Sequence, residues 1–228
     1  MAADLRGAME VFARAREYVG RVGLQAEVEW QRSVELESFT ESDLLREAAW
    51  VILCSGFREQ VVRRVFDHVS LCYCDWESAS AIVDAGPACR IAAMASFRNE
   101  AKLNAILKIA HQVHDVGFET VKRAIGSDPI KELSRFPHIG PVTVWHLAKN
   151  LGLDVAKPDR HLVRLSNHLG FNSATHFCTA VSELVGEQAK VIDLIIWRYL
   201  ADNPKSREAW APLAPNASRS IMKLCQIT

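Results

Sequence analysis

The feature that most constrains this chain is the run over residues 133–166, LSRFPHIGPVTVWHLAKNLGLDVAKPDRHLVRLS. It reads as two helices around a tight turn, Pro137-His138-Ile139-Gly140-Pro141, followed by a short loop that delivers Asp159 to the start of a third helix. Glycine in such a turn lets the backbone come close to a partner. The helix that follows opens with unpaired N–H groups and a partial positive charge, which together suit a phosphate. A carboxylate then arrives seventeen residues after Val142. Phosphate-gripping backbone followed by an acid group is what chemistry on a nucleic-acid sugar needs.

Elsewhere the apolar residues keep a helical period, alternating β-type segments are hard to find, and Gly and Pro number only 11 and 8. The fold class predicted is all-α. At 228 residues, one or two domains are expected, with enough apolar side chains for a real core. Helices are expected near 5–19, 24–36, 41–54, 59–69, 76–85, 88–95, 99–116, 118–125, 128–135, 159–169, 173–184 and 187–202. A short last helix is expected in the Ala/Pro-rich tail. Boundary signals are local: Thr40 with Asp43 forms a capping box and Phe39 a staple toward Leu44. Asn99 is a cap, Asp128-Pro129 a cap with proline at the first helical position, and Gly170 a helix terminator.

The formal net charge is zero, which counts against strong non-specific nucleic-acid binding. The distribution is uneven, however. Residues 1–50 carry ten acidic against six basic side chains, and residues 157–228 nine basic against six acidic. Any DNA face is expected on the Asp159 side. No stretch approaches a membrane span, and the charged amphipathic N-terminus lacks a signal core, so a cytoplasmic protein is expected. The cysteines, Cys54, Cys72, Cys74, Cys89, Cys178 and Cys225, lack paired Cys-x-x-Cys spacing. They read as reduced thiols, with no metal site.

Phe136-Pro137-His138-Ile139-Gly140, with Thr143-Val144 after it, and Pro158-Asp159-Arg160-His161-Leu162-Val163-Arg164 together resemble the helix-hairpin-helix plus Gly/Pro…Asp signature of the DNA glycosylase superfamily, which includes endonuclease III and the alkyladenine glycosylases. Residues 49–61 resemble that family's first barrel helix and lesion-side loop, and residues 97–102 its aromatic-Asn…Lys helix start, so the resemblance covers roughly 45–166. It implies a two-lobed helical fold with a central cleft. A helical barrel would span 45–150, and residues 1–44 plus 151–228 would form the second lobe. Three departures are visible. His138 replaces the first hairpin glycine, Val142 occupies the position of the Schiff-base lysine, and the iron–sulfur cysteines are absent.

The resemblance implies that Asp159 is catalytic, stabilising positive charge on the sugar and orienting the attacking water. Its structural reading is a helix N-cap, and the two roles are compatible. His138, Ile139, Gly140 and Val142 would give backbone N–H groups to DNA phosphate, helped by Arg160, His161 and Arg58. An ordinary helix-turn-helix corner explains the same glycine. Trp50, Phe57, Trp145 and His146 would line the pocket for a flipped base, or else belong to the core. Phe57 or Arg58 would fill the vacated stack. Arg164 is expected near phosphate or as an ion-pair partner of Asp193. Lys149 and Lys157 are the alternative imine formers.

The implied protein is a monomeric, cofactor-free, monofunctional glycosylase acting on double-stranded DNA and leaving an abasic site. Its substrate would be an alkylated purine or a bulky modified base of phage DNA, the latter making it an antiviral defence enzyme. A non-catalytic hairpin DNA-binding protein and a bifunctional glycosylase/lyase are the alternatives.

Overall fold

The computed structural model describes residues 3–203; the expected tail helix and Cys225 lie outside them. Among the described residues the chain is all-helical, with thirteen α-helices, one 3-10 turn and no strand. It divides into two compact units. One is Val34–Leu153, and the other combines the described parts of Met1–Ser33 and Asp154–Thr228.

The central unit contains α3 (Glu41–Cys54), α4 (Glu59–Cys72), α5 (Ala79–Ala85), α6 (Pro87–Ala93), α7 (Glu100–Val116), α8 (Phe118–Ser127), α9 (Pro129–Leu133) and α10 (Thr143–Asn150). Its centre is α3, buried almost without interruption from Leu44 to Leu53 and packed against α4, α7 and α10. The expected capping box is present: Thr40 Oγ1 accepts the Asp43 N–H, and Asp43 Oδ2 accepts the Thr40 N–H. Residues 34–44 fall with this unit because Phe39 is buried in its core, edge-on to Phe118. Asn99 caps α7 and Asp128 caps α9. In turn α9 packs on α8 and α10, which fixes the hairpin from behind.

The helix expected from residue 76 begins only at Ala79. Cys74, Asp75 and Trp76 instead take left-handed backbone, with φ of 56°, 50° and 62°. Such backbone costs L-residues roughly 1–2 kcal/mol each. The buried Trp76 offsets it by stacking on Tyr73 and Phe66 and donating its indole N–H to Ser70 Oγ at 2.9 Å.

The other unit holds α1 (Leu5–Arg21), α2 (Gln25–Ser33), α11 (Arg160–His168), α12 (Ala174–Val185) and α13 (Ala189–Asp202). Helix α2 stops at Ser33, three residues short of the expected end, where the chain crosses into the central unit. Helix α13 packs on α1, α2, α11 and α12, and its run from Val191 to Ile196 is buried. Arg32 pairs with Glu187 at 2.5 Å and with Glu29, tying α2 to the loop before α13. Gly170, at φ 75°, ends α11, and Phe171 N–H returns to Ser166 O at 2.8 Å. No helix among the described residues is long and apolar enough to cross a membrane.

Candidate functional site

The hairpin is anchored from below by Phe136 and Ile139, both buried in the central core, while His138, Pro141 and Val142 are exposed. The left-handed position of the turn does not fall on its glycine. His138 takes the left-handed conformation, with φ 63°, and Gly140 does not. A Cβ added at Gly140 would meet only Thr143 Oγ1, at an ordinary 3.8 Å. Neither backbone nor internal packing therefore demands glycine there.

Two of the N–H groups expected to grip phosphate are engaged within the turn. Ile139 N–H donates to Phe136 O at 3.2 Å, and Gly140 N–H to Thr143 Oγ1 at 2.6 Å. That is a correction for Ile139 and Gly140, caused by the Thr143 hydroxyl and the 3-10 closure of the turn. Helix α10 then starts with Val142 as its N-cap residue, 43% exposed and with no side-chain cap. The N–H groups of His138, Val142 and Thr143 donate to no acceptor among the described residues. Of the four donors the sequence suggests, those of His138 and Val142 thus stay open, and Thr143 adds a third.

Asp159 begins α11 and is half-buried. Its Oδ1 accepts the N–H groups of His161 at 2.7 Å and Leu162 at 3.0 Å. Oδ2 accepts no hydrogen bond among the described residues. The carboxylate is thus a helix cap through one oxygen and an open acceptor through the other. Asp159, Lys157, Arg160 and Arg164 all lie within electrostatic reach of His161. Burial pushes the His161 pKa down, the neighbouring cations Arg160, Arg164 and Lys157 push the same way, and Asp159 opposes them. Its imidazole stays neutral near pH 7, with Nε2 accepting the Arg160 Nε–H at 3.3 Å.

Arg160 and Arg164 lie one turn apart on the exposed face of α11, and neither has a carboxylate partner among the described residues. The expected Arg164–Asp193 ion pair is not formed. Asp193, buried at 1% exposure, instead accepts the Lys157 N–H at 3.2 Å.

The four aromatic residues expected around a base pack against different neighbours. Trp50 sits edge-on to Phe66 at 5.0 Å with the Arg63 guanidinium over its ring. Phe57, 42% exposed in the turn after α3, leans on Phe97 at 5.1 Å. Trp145 packs partly buried against the core, and His146 is half-buried. No ring contact links Trp50, Phe57 and Trp145 among the described residues. Arg58, exposed, is the N-cap residue of α4 and makes no side-chain cap.

Lys149 is buried in α10, and Lys157 Nζ lies 5.9 Å from the Trp197 ring centroid. None of the described cysteines is in a disulfide, and burial with the neighbouring Cys74 pushes the Cys89 thiol up to about 11. No group of three or more His, Cys, Asp or Glu among the described residues is arranged to hold a metal ion.

Sequence reasoning missed three contributors. Thr143 closes the hairpin through its hydroxyl. Lys102, buried, donates Nζ–H groups to Ile52 O and to Ser55 O at 2.7 Å, holding the turn that carries Phe57; burial lowers its pKa. Asp154 accepts the Lys190 N–H at 2.8 Å. An Asx or Thr a few residues from a turn was the only local signal for the first, and the other two join residues far apart in sequence. A comparison with protein-family models, curated proteins and solved structures finds no match for this chain.

Proposed function

We propose that this chain is a monofunctional DNA glycosylase that flips a damaged or modified base from a duplex and hydrolyses its N-glycosidic bond. The observation that carries the reading is Asp159. It is half-exposed, fixed by Oδ1 to the start of α11 and open at Oδ2 among the described residues, on a helix whose Arg160 and Arg164 have no carboxylate partner among those residues. As the base departs, positive charge builds on the deoxyribose. A carboxylate held in place stabilises that charge without reorganising, and its open oxygen orients the attacking water. Arg160 and Arg164 supply phosphate contacts that a net-neutral protein lacks in its overall field.

The hairpin supports the same reading. Gly140 is required by nothing inside the fold, and the uncapped start of α10 presents donors and a partial positive charge to an anion. A phosphate backbone passing over Gly140 accounts for both. Exposed Val142 cannot form an imine, which favours hydrolysis over strand nicking. The protein would act as a cytoplasmic monomer on double-stranded DNA, without a cofactor. Its substrate would be an alkylated purine, or a bulky modified base of phage DNA as in antiviral defence.

The test is release of free base, followed by mass spectrometry, from alkylated, deaminated, oxidised and glucosylated duplexes with the wild type and Asp159→Asn. Loss of release with retained duplex binding supports the proposal. The two N–H groups that Asp159 caps favour a second reading, a DNA-binding hairpin protein in which this residue only holds a helix. That reading predicts no base release by the wild type on any of these duplexes.

A further inference from the structure

We infer that Asp193, assisted by Asp154, is a positioning residue for Asp159; this rests on the glycosylase reading above. The segment 153–159 has no regular secondary structure, yet it carries the group assigned the chemistry. Two side chains hold it along the first turns of α13. Asp154 Oδ1 accepts the Lys190 N–H at 2.8 Å, and Asp193 Oδ1 accepts the Lys157 N–H at 3.2 Å. Lys190 and Asp193 are three residues apart on α13, as Asp154 and Lys157 are in the loop, so the two bonds keep one register. Ala156, between them, is fully buried.

The second bond continues toward the site. Lys157 O accepts the Asp159 N–H at 2.8 Å across Pro158, which has no N–H of its own to compete and has its φ fixed by its ring. Asp159 Oδ1 then accepts from His161 and Leu162. Three successive hydrogen-bonded points, joined by the backbone of Lys157 and Asp159, therefore fix the path from a carboxylate inside α13, through one tight turn, to the carboxylate at the start of α11. Asp193 itself is shut off from solvent, so it does not touch substrate. Its effect on the reaction is to fix where Asp159 stands. Displacing a reacting group by about 1 Å costs on the order of 100-fold in rate.

The experiment measures single-turnover base release, duplex affinity, thermal unfolding and amide exchange at Lys157. The variants are Asp193→Asn, Asp193→Ala and Asp154→Ala, with Asp193→Ala also made in an Asp159→Asn background. Asp193→Asn keeps an oxygen that accepts the Lys157 N–H, so its rate stays within about threefold of wild type, while Asp193→Ala falls by about 30-fold or more with unchanged affinity. The Lys157 amide loses protection only in Asp193→Ala. In the Asp159→Asn background, Asp193→Ala removes nothing further, which a merely structural role would not produce.

Asp154→Ala changes an exposed side chain and decides the matter if Asp193→Ala does not fold; about a tenfold loss of rate at full affinity is expected. Wild-type rates in the variants, with the Lys157 amide exposed, overturn the inference and leave the glycosylase reading standing. A wild type that releases no base overturns both.

Discussion

Helices α10 and α11 both begin where a proline-containing loop runs into a helix, but their first turns are completed differently. At α10 the N-cap residue is Val142, whose side chain has nothing to offer a backbone N–H, and the N–H groups of Val142 and Thr143 find no acceptor among the described residues. At α11 the N-cap residue is Asp159, whose Oδ1 takes two of those donors itself. A helix start closed from within has no need of an outside anion, and it retains a carboxylate oxygen for other uses. One left open attracts an anion through unpaired donors and the aligned peptide dipoles. The two starts thus differ in charge preference: one suits an anion, the other a cation.

The largest expected effect separates capping from chemistry at α11. Asparagine caps a helix about as well as aspartate, so Asp159→Asn leaves stability nearly unchanged, while base release drops by roughly 100- to 1000-fold. A variant with wild-type release in the mass-spectrometric assay would show that Asp159 is a cap only.

At α10 the comparison is sharpened by closing the open start. Val142→Asp places a negative charge at the positive end of the helix dipole and should raise stability by about 0.5 kcal/mol in denaturant titration. The same change places a negative charge where phosphate would sit, so duplex affinity should fall by about tenfold, a loss of roughly 1.4 kcal/mol. Higher stability with undiminished affinity would remove the hairpin from the DNA contact.

Asp159→Ala is the converse change. It opens the start of α11 and should cost about 1 kcal/mol of stability beyond Asp159→Asn, read from paired unfolding curves. Equal stabilities would mean that the two capped N–H groups find other acceptors. His138→Gly removes the side chain held at φ 63° and should stabilise the fold by about 0.5–1 kcal/mol, with the hairpin unchanged in amide-exchange pattern.

The smallest effect concerns the far end of α10. There Asn150 donates to buried Glu47 at 2.8 Å, with Arg46 at 3.1 Å and Asp43 as the other charged neighbours. Burial raises the Glu47 pKa above its usual 4.5. The folded state therefore holds this proton more tightly than the unfolded chain does. Stability falls as pH rises from about 4.5 through the raised value, and Glu47→Gln should flatten that slope. An unchanged slope in unfolding curves taken across that range would assign it to other groups.

Much of this contrast was readable before any coordinates. Thr40 with Asp43, Asn99, Asp128 with Pro129, Gly170 and Asp159 all act within four residues of themselves, and each marks the helix end it was expected to mark. The hairpin's place between α9 and α10 followed from the same local rules. Its inner geometry did not, because which residue takes the left-handed position depends on which residues the core pulls down. Buried Phe136 and Ile139 leave His138 at the apex, and Thr143 fills the space beside Gly140. The left-handed turn at Cys74–Trp76 was invisible for a similar reason: Tyr73, Phe66 and Ser70 hold Trp76, and nothing in its immediate sequence does.

What the chain's order of residues determined alone was helical class, most helix boundaries, and a carboxylate at the head of α11, since periodicity and capping act over one or two turns. Tertiary structure alone decided which donors stay open, which aromatic rings meet, and that a buried acid on α13 holds the loop before Asp159. Those outcomes join residues tens of positions apart, and only packing the apolar faces together chooses which distant partners come within hydrogen-bonding reach.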